Sequence, residues 1–318
     1  MRVLRVLREE KVSSIKVSII VCTYSIEFLS DTFECISSLT SQNYADKEIL
    51  LVMDENYELY RLLIDSLPES VNIIINKHPG LSEARNLGIK NATGDIIVFI
   101  DDDAVADNNY ISNMIKNYED KNIVGVVGKI LPKEKPNYPE ELYWIGGFTY
   151  KGFPDKRCEV RNVLGCNMSF RKEIFDKVGF FDINLGRVGK NLVTAEETEF
   201  CIRVLNSLPG SKIIYDPSVI VYHKVHGYRQ TFRYMMRRGY HEGVSKAHIG
   251  KLYYNKDGGS KALSTEQTYL RYLLAKAIPA RIGNMLVGRD VVYNTKETIA
   301  LLMVTVSVGF GYIIGRIE

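Results

Sequence analysis

The first half of the chain alternates between short, continuous apolar runs and longer segments in which apolar and polar residues mix. Continuous runs rich in β-branched residues are typical of strands buried on both faces of a sheet, and the mixed segments have helical spacing. The predicted strands are residues 17–22, 47–53, 71–76 and 96–100, and the predicted helices are 30–40, 58–67, 82–93 and 108–119. This alternation predicts an α/β fold with a Rossmann-like, mostly parallel sheet flanked by helices.

From about Pro132 the regular alternation ends. The segment that follows is rich in proline, glycine and aromatic residues and contains Trp144, the only tryptophan of the chain. Apolar runs return at 163–170 and 213–222, and between them a glycine-containing loop leads into an acidic, helical pattern at 196–199. We therefore expect the second half of the main domain to be built differently from the first.

Residues 224–256 form a strongly basic segment. They contain eight Lys and Arg residues against one acid, Glu242, and aromatic residues and methionines are interleaved with them. The segment is either a solvated basic face beside an anionic donor, or a surface that binds lipid headgroups or the phosphate of an acceptor.

Residues 298–315 contain no charged side chain over eighteen positions. As a helix they would extend roughly 27 Å, close to the ~30 Å hydrocarbon core of a bilayer. The pattern predicts a membrane-associating helix, and the alternative is a core or oligomer helix.

Composition and charge narrow the class of protein. The chain of 318 residues is 46% hydrophobic and 25% charged, which is typical of a folded protein, and its net charge of +3 does not indicate a nucleic-acid binder. Five scattered cysteines favour a reducing compartment over a disulfide framework or a structural zinc site. The N-terminal residues are interrupted by charge too often for a signal peptide, so we expect the catalytic domain in the cytoplasm.

Three adjacent carboxylates, Asp101, Asp102 and Asp103, directly follow the apolar run at 96–100. They repel one another, so their position at the end of a dry strand requires a positive charge nearby. Mg²⁺ and Mn²⁺ prefer carboxylate oxygen, and Mg²⁺ commonly combines one or two carboxylates with substrate phosphates. The cluster predicts a divalent cation held against a diphosphate; the alternative is a helix cap or a solvated turn.

Polar residues follow the other predicted strands as well. Thr23 and Tyr24 come after the first strand and Asp54 after the second. Ligands of such sheets bind beyond the carboxyl ends of the strands, so we expect these residues to converge with the aspartates on one crevice.

A second acidic cluster, Glu196, Glu197 and Glu199, lies at the start of a helical pattern. Acidic residues in a first helical turn commonly complement the helix dipole. Crowded carboxylates also raise one another's pKa, which suits a general base. The residues alone leave both interpretations open.

Seven segments resemble, in order, the motifs of family 2 glycosyltransferases, which are inverting enzymes of the GT-A fold. They are VSIIVCTYS, MDEN, GLSEARNLGI, GDIIVFIDDDA, GCNMSFRKEIF, AEETEFCIRV and YDPSVIVYHK. The resemblance covers about residues 16–223 and weakens through about 247. We therefore expect a GT-A catalytic domain over 1–223, with a nucleotide-binding half at about 16–130 and an acceptor-side half at about 131–223. Residues 224–318 are expected to form a helical, membrane-associated extension.

The resemblance implies a role for each matching residue. The residues implied to bind the nucleotide or donor are Thr23, Tyr24, Asp54, Arg85, Asp101 and Asp102. The residues implied to hold Mg²⁺ or Mn²⁺ are Asp103 and His223, and the implied catalytic base is Glu197 or Glu196. The residues implied to lie on the acceptor side are Gly165, Asn167 and Trp144. Asp54 would contact the nucleobase, and Arg85 would lie near the diphosphate. For His223 the alternative is a histidine packed beneath the sheet.

Two positions depart from the family pattern. Ala195, Glu196 and Glu197 stand where Gly-Glu-Asp is usual, and Ser25 stands where asparagine is usual. Glu197 falls where the family has the aspartate that acts as the base, so the resemblance predicts Glu197 as the base. Because glutamate is one methylene longer than aspartate, Glu196 is the alternative.

The resemblance implies transfer of a hexose from a nucleotide-diphosphate sugar, expected to be a UDP-sugar, to a hydroxyl of a glycan. The acceptor is expected to be lipid-linked and the reaction to take place at the cytosolic membrane face. Alternatives are a polyprenyl-phosphate sugar synthase, whose acceptor is already ionised, and, less favoured, a nucleotidyltransferase or a non-enzymatic binding module. Expected partners are the donor, the acceptor and the membrane surface, but no nucleic acid; homo-oligomerisation stays open. Because every motif precedes Lys296, we expect a chain that ends before Lys296 to lose tight membrane association but to keep donor hydrolysis.

Overall fold

The computed structural model of the chain describes residues 15–186, 195–253 and 263–317. Three predictions fall wholly or partly outside them: the charged N-terminal segment up to residue 14, the loop at 187–194 before the second acidic cluster, and Lys256 of the basic segment.

Within the described residues a nine-stranded sheet is flanked by helices. The strands are β1 (Val17–Thr23), β2 (Lys47–Asp54), β3 (Val71–Asn76), β4 (Ile96–Asp101), β5 (Ala104–Ala106), β6 (Ile123–Pro132), β7 (Cys158–Glu159), β8 (Asn167–Arg171) and β9 (Lys212–His223). The helices are α1 (Leu29–Thr40), α2 (Tyr57–Ile64), α3 (Leu81–Asn91), α4 (Tyr110–Lys116), α5 (Lys172–Val178), α6 (Glu196–Ser207), α7 (Phe232–Tyr253), α8 (Ser264–Tyr272), α9 (Ile278–Leu286) and α10 (Val291–Ile317). The four predicted strands and four predicted helices of the first half are present, although α2 and α4 are shorter than predicted.

The sheet is parallel in its first half and mixed in its second. Its order is β3-β2-β1-β4-β8-β6-β9-β5, and β7 pairs with β9. Strands β1 to β4 are mutually parallel, whereas β8 runs antiparallel to both β4 and β6. Because β8 runs the other way, its first residues lie beside the carboxyl end of β4, and Asn167 pairs with Ile100. This reversal brings the acceptor-side segment to the aspartate cluster.

The apolar runs of the central strands are buried on both faces of the sheet. Along β1, Ile19 belongs to the core on one face and Ile20 to the core on the other. The same division holds along β4, where Val98 and Phe99 point to opposite faces. Continuous hydrophobicity, rather than alternation, follows from helices covering both sides.

The C-terminal helices are built around a close approach of α7 and α10. A Cβ atom on Gly243 would lie 2.0 Å from the carbonyl oxygen of Val308, and a Cβ on Gly311 would lie 2.0 Å from that of Tyr240. Only glycine therefore permits the two backbones to approach so closely. Arg281 of α9 pairs with Glu297 of α10 and with Glu141, so it joins these helices to the part of the chain that forms the sheet.

Among the described residues, α10 is the one helix long and apolar enough to cross a membrane. Its 27 residues extend about 40 Å, longer than the predicted stretch because it begins before the charged Lys296 and Glu297. One side of α10 is apolar and exposed: Val306 is 69% exposed and Phe310 58%, although the Phe310 ring lies 6.0 Å from the Tyr240 ring of α7.

Candidate active site

The candidate active site is a cavity of about 470 Å³ beyond the carboxyl end of β4. The catalytic domain supplies one part of its wall and the C-terminal helices supply the rest. Of the residues singled out in the sequence, those that line it are Arg85, Asp101, Trp144, Gly165, Glu196, Glu197 and His223. Donor-side and acceptor-side residues predicted from separate motifs are thus brought to one space.

The pairing of β5 with β9 places the aspartate cluster beside a histidine. Asp101 ends β4, and after a turn β5 pairs antiparallel with β9, so that Ala104 lies opposite His223. As a result Nε2 of His223 lies 3.2 Å from Oδ1 of Asp103 and 3.9 Å from Oδ2 of Asp101.

Asp103 is surrounded by positive or proton-donating groups. Its Oδ2 lies 2.9 Å from Nε2 of His226 and 3.4 Å from Nη2 of Arg229. Burial alone would raise the pKa of Asp103, but His223, the hydrogen bond with His226 and the charge of Arg229 together hold that pKa well below its usual range. Asp103 is therefore an ionised carboxylate.

The neighbouring Asp102 has the opposite environment. Burial, followed by the charge of Asp103, raises the pKa of Asp102, and a hydrogen bond with the Thr23 side chain only partly offsets this. Its Oδ2 is buried and has no hydrogen-bond partner among the described residues. Two adjacent aspartates therefore differ sharply in charge state, and Asp103 and Asp101 are the ones suited to hold a cation.

The donor set at this point fits a divalent cation. Ligand atoms of Asp101, His223 and Cys166 all lie within 4.8 Å of one another. Carboxylate oxygen suits Mg²⁺ and Mn²⁺, and imidazole nitrogen is a common partner for transition metals. A thiolate is a soft ligand that suits zinc or copper(I) better than Mg²⁺ or Mn²⁺, so Cys166 is the least suited of the three. Asp101 and His223 are the residues of this group that could hold the ion, and the predicted ligand Asp103 lies beside them, with its Oδ1 3.2 Å from Nε2 of His223.

Arg85 connects the two acidic clusters. Its Nη1 donates to Oε1 of Glu196 at 2.8 Å, and its Nη2 lies 3.6 Å from Oδ1 of Asp101 and donates to the carbonyl oxygen of Gly165 at 3.2 Å. The guanidinium is almost fully buried. The sequence placed Arg85 near the diphosphate; the structure places it between Asp101 and Glu196, where it holds both carboxylates in position.

Glu196 and Glu197 have different surroundings although they are adjacent. Glu196 is buried, binds Arg85, and accepts a hydrogen bond from the backbone N–H of Ala195 at 3.2 Å. Glu197 also lines the cavity, but its Oε2 has no hydrogen-bond partner among the described residues. Burial, followed by the charge of Glu196, raises the pKa of Glu197 to about 8. An unpartnered carboxylate oxygen in the cavity with a raised pKa meets the requirements of a general base, whereas the carboxylate of Glu196 is held by Arg85.

The backbone before this helix is strained. Ala195 has a φ of 109°, in the region that favours glycine, at the position where the family pattern has glycine. Helix α6 is fixed by Glu199, which pairs with Arg203 at 2.8 Å and accepts a hydrogen bond from the Tyr253 hydroxyl at 2.8 Å. Glu199, the third acid of the cluster, is therefore structural.

The predicted nucleotide residues lie at the ends of neighbouring strands. Thr23 ends β1 and is buried, and Asp54 ends β2 and accepts a hydrogen bond from Nδ2 of Asn76 at 2.8 Å. Burial raises the pKa of Asp54. Tyr24 is 60% exposed and packs against Phe28. Thr23 ends the strand beside β4 and shares a hydrogen bond with Asp102, but Thr23, Tyr24 and Asp54 are not among the residues that line the cavity. Their convergence with the aspartates on one crevice stays a prediction.

Asn167 is placed differently from its predicted acceptor-side position. Its side chain is fully buried, and Nδ2 donates to the carbonyl oxygens of Val219 and Lys129. It holds β8 against β6 and β9, and the structure does not bring it to the cavity wall. Gly165 and Trp144 do line the cavity.

Sequence reasoning missed the residues that α7 and the turn before it contribute. His226 and Arg229 contact Asp103, and Arg238, Glu242 and Lys246 line the cavity. The available signal was the basic segment at 224–256, but its composition alone did not distinguish a cavity wall from a solvated face.

Comparison with known proteins decides the family. Residues 18–179 match the sequence profile described as Glycosyl transferase family 2. A Haloferax volcanii protein named glucosyl-dolichyl phosphate glucuronosyltransferase is 33% identical over 308 residues, covering 94% of this chain and 96% of the relative. The chain belongs to glycosyl transferase family 2. The resemblance seen in the motifs is confirmed, and the alternatives of a nucleotidyltransferase or a non-enzymatic module are not supported.

Two further similarities concern part of the chain or its fold. An Escherichia coli protein named UDP-Glc:alpha-D-GlcNAc-diphosphoundecaprenol beta-1,3-glucosyltransferase WfgD is 31% identical over 140 residues, which cover 40% of this chain and 54% of that protein. The structure of the mannosyltransferase PcManGT from Pyrobaculum calidifontis, in complex with GDP-Man and Mn²⁺, matches with a TM-score of 0.60 and 18% identity, over 94% of this chain and 87% of that one. The likeness to PcManGT confirms the GT-A fold class.

Proposed function

We propose that this glycosyltransferase moves a sugar from a UDP-sugar to a hydroxyl of a lipid-linked sugar, with inversion at the anomeric carbon. The names of the Haloferax and Escherichia coli relatives, which specify a dolichyl phosphate and a diphosphoundecaprenol acceptor, support the acceptor class. The observation that carries the proposal is the carboxylate of Glu197, which faces a cavity shared with Asp101 and His223. A carboxylate oxygen without a hydrogen-bond partner is suited to receive a proton from a bound hydroxyl.

In this proposal Glu197 removes the proton of the acceptor hydroxyl. The hydroxyl oxygen forms a bond to the anomeric carbon as the bond from that carbon to the diphosphate oxygen breaks. The electron pair of the broken bond leaves with the nucleoside diphosphate, and the proton stays on Glu197. Attack from the face opposite the leaving group inverts the anomeric configuration.

Residues of the chain position the reactants. Thr23, Tyr24 and Asp54 would bind the nucleotide, and Asp101, Asp103 and His223 would hold Mg²⁺ or Mn²⁺. The cation, when bound, offsets the negative charge that develops on the departing diphosphate. Arg85 fixes Glu196 and Asp101 relative to each other, so it couples the geometry of the acceptor side to that of the donor side.

The proposed location is the cytosolic face of a membrane, with residues 1–223 as the catalytic domain and 224–318 as the membrane-associated extension. The exposed apolar side of α9 and α10 supports this: Leu286 is 83% exposed and Val306 69%. Exposed apolar surface of this extent marks a membrane or protein contact. The charged residues Arg238, Glu242 and Lys246 point into the cavity instead.

The test is a donor and acceptor panel with purified full-length protein and Mn²⁺. Nucleotide sugars of uridine, guanosine and thymidine are each incubated with a short-chain prenyl-phosphate glucose, and released nucleoside diphosphate and product mass are measured. We expect release of UDP that depends on the acceptor and a product one sugar heavier. Absence of acceptor-dependent diphosphate release with every donor contradicts the proposal.

One rival outcome has a clear signature. A polyprenyl-phosphate sugar synthase would glycosylate prenyl phosphate itself, and its ionised acceptor would need no base. Transfer to prenyl phosphate that is unaffected by Glu197→Gln would therefore favour the synthase over the proposed reaction.

A further inference from the structure

Helix α7 crosses the cavity from the donor side to the base side. Just before it, Arg229 lies 3.4 Å from Asp103, and at its last residue the hydroxyl of Tyr253 donates to Glu199 of the base helix α6. Between these ends three charged residues at intervals of four, Arg238, Glu242 and Lys246, line the cavity. Such spacing puts them on one helix face, in a row about 12 Å long.

Arg238 has fewer partners than a buried guanidinium requires. It is 8% exposed, and its Nε has no hydrogen-bond partner among the described residues. Its Nη1 lies 2.8 Å from Oε2 of Glu242, but the orientation of this ion pair does not make a hydrogen bond. Lys246 pairs with Glu242 at 3.1 Å and with Glu266 at 3.0 Å, and Glu266 also pairs with Arg161 at 2.8 Å, so three cations share two carboxylates. A buried donor without an acceptor is costly, so the position is suited to a further anion.

The shape of the guanidinium and its place in the cavity indicate which anion. A guanidinium matches a phosphate with two parallel N–H donors. His226 and Arg229 lie beside Asp103, where the proposed donor diphosphate would bind. Lys246, two helical turns from Arg238, is near enough to Glu197 to lower the pKa of that base. Arg238 therefore lies between the donor end of α7 and the base, next to Gly239, which packs against Val304 and Val308 of α10. The phosphate of a lipid-linked acceptor would lie there, between the base and the apolar helix.

The apolar part of such an acceptor also has a path. Thr305, Val308, Gly309 and Tyr312 of α10 line the same cavity. The neighbouring Val306 and Phe310 belong to the exposed apolar face of that helix. A lipid whose phosphate is at Arg238 would therefore leave the cavity beside a surface suited to acyl or prenyl chains.

We infer that Arg238 binds the phosphate of the lipid-linked acceptor and so selects phosphate-bearing acceptors over neutral ones. The inference rests on the proposed function, which supplies the acceptor class. Arg238 is a specificity-determining residue and takes no part in the proton transfer.

Trp144, the only tryptophan of the chain, lines the cavity and can report binding by its fluorescence. The probes are a ten-carbon prenyl phosphate, the matching prenyl alcohol and inorganic phosphate. The full-length protein should bind the prenyl phosphate at least about tenfold more tightly than the alcohol, which is the effect of a charge-assisted hydrogen bond. Inorganic phosphate should bind more weakly than the prenyl phosphate because it lacks the tail.

The Arg238→Gln variant should lose most of this preference while its affinity for the alcohol stays the same. Arg238→Lys, which keeps the charge but not the planar fork, should recover part of it. The matched control is Arg237→Gln, which removes the same charge from an exposed neighbouring position and should keep the preference. Binding of UDP with Mn²⁺ should be unchanged in Arg238→Gln, which also verifies that the variant is folded.

Three results would overturn the assignment: equal affinity of the unmodified protein for phosphate and alcohol, inorganic phosphate binding as tightly as prenyl phosphate, or a parallel loss of UDP binding in Arg238→Gln. If sugar transfer occurs without the phosphate preference, only the role of Arg238 is wrong. If the preference is present but no donor supports transfer, the inference stands for prenyl phosphate as a ligand and the proposed function is contradicted.

Discussion

The sheet and the C-terminal helices differ in how completely their apolar side chains are buried. In β1, Ile19 and Ile20 are both buried although they point to opposite faces, because helices cover the sheet on both sides. In α10, Leu301 is fully buried while Val306 and Phe310 are more than half exposed. The sheet completes its own core, whereas the helices leave an apolar face that requires another environment, which we assign to a membrane.

The two regions are nevertheless joined at one functional space. Thr305, Val308 and Tyr312 of α10 line the cavity that contains Glu197, and Arg281 ties α9 and α10 to Glu141 of the catalytic domain. The expectation that donor hydrolysis survives removal of the chain from Lys296 onward stays a prediction, because it concerns the donor alone. Since residues of α10 line the cavity, we expect their removal to open it and to reduce transfer to the acceptor.

The largest expected effect lies in the sheet region. Asp103→Ala should abolish transfer, because the alanine cannot hold a cation and leaves His226 and Arg229 without their carboxylate. Activity is measured as acceptor-dependent UDP release with and without EDTA, and folding by thermal melting. Asp65→Ala, at an exposed position, is the control. Full activity of Asp103→Ala in excess EDTA would refute the metal assignment.

A smaller effect is expected in the helical region. Gly311→Ala places a methyl group against the Tyr240 carbonyl, so it should force α7 and α10 apart and destabilise the protein by about 1–3 kcal/mol. Gly283→Ala in α9 is the matched control, since its Cβ would meet nothing within 4 Å and alanine favours helix by about 1 kcal/mol. The measurement is denaturant unfolding. Equal stability of the two variants would mean that the close packing is not required.

The membrane assignment can be tested by putting the same charge in each region. Val306→Glu on α10 should reduce sedimentation with anionic vesicles several-fold, because a carboxylate on an apolar face opposes insertion. Ile64→Glu introduces the same group at an exposed apolar position of α2 and should leave sedimentation unchanged. If the two variants sediment alike, the apolar face of α10 contacts protein rather than lipid.

The regions also differ in how much of them the sequence could predict. The strands β1 to β4 follow from local apolar runs, and the aspartates at the end of β4 follow from the position of Asp101 in its motif. Contacts between distant residues were not accessible in this way. His226 meets Asp103 across 123 positions, and Arg85 meets Glu196 across 111, and no local pattern encodes either pair.

For α10 the sequence predicts the helix but not what surrounds it. Its uncharged run correctly indicated an apolar helix, but hydrophobicity does not state which neighbour a helix has. In the sequence, the glycines that permit α10 to approach α7 only lower the hydrophobicity and helix propensity of the stretch. Asn167 is a similar case, since its motif position matched while its side chain was used to join strands.

The structure distinguishes Glu196 from Glu197 by their hydrogen-bond partners. In the sequence the two are adjacent and chemically identical. In the fold one is held by Arg85 and the other has an unpartnered oxygen in the cavity. We therefore assign Glu197 as the base.

The direct test is the pH dependence of kcat/KM for the unmodified protein, Glu197→Gln and Glu196→Gln. A base whose pKa is raised to about 8 must lose its proton to act, so kcat/KM should rise with pH and level off above about pH 8. Glu197→Gln should lower kcat/KM by about two to four orders of magnitude and remove this rise, with UDP affinity unchanged. Glu196→Gln should keep the rise and move it to lower pH, because the charge that raises the pKa of Glu197 is gone. If Glu196→Gln removes the rise and Glu197→Gln keeps it, Glu196 is the base and the assignment of Glu197 is wrong.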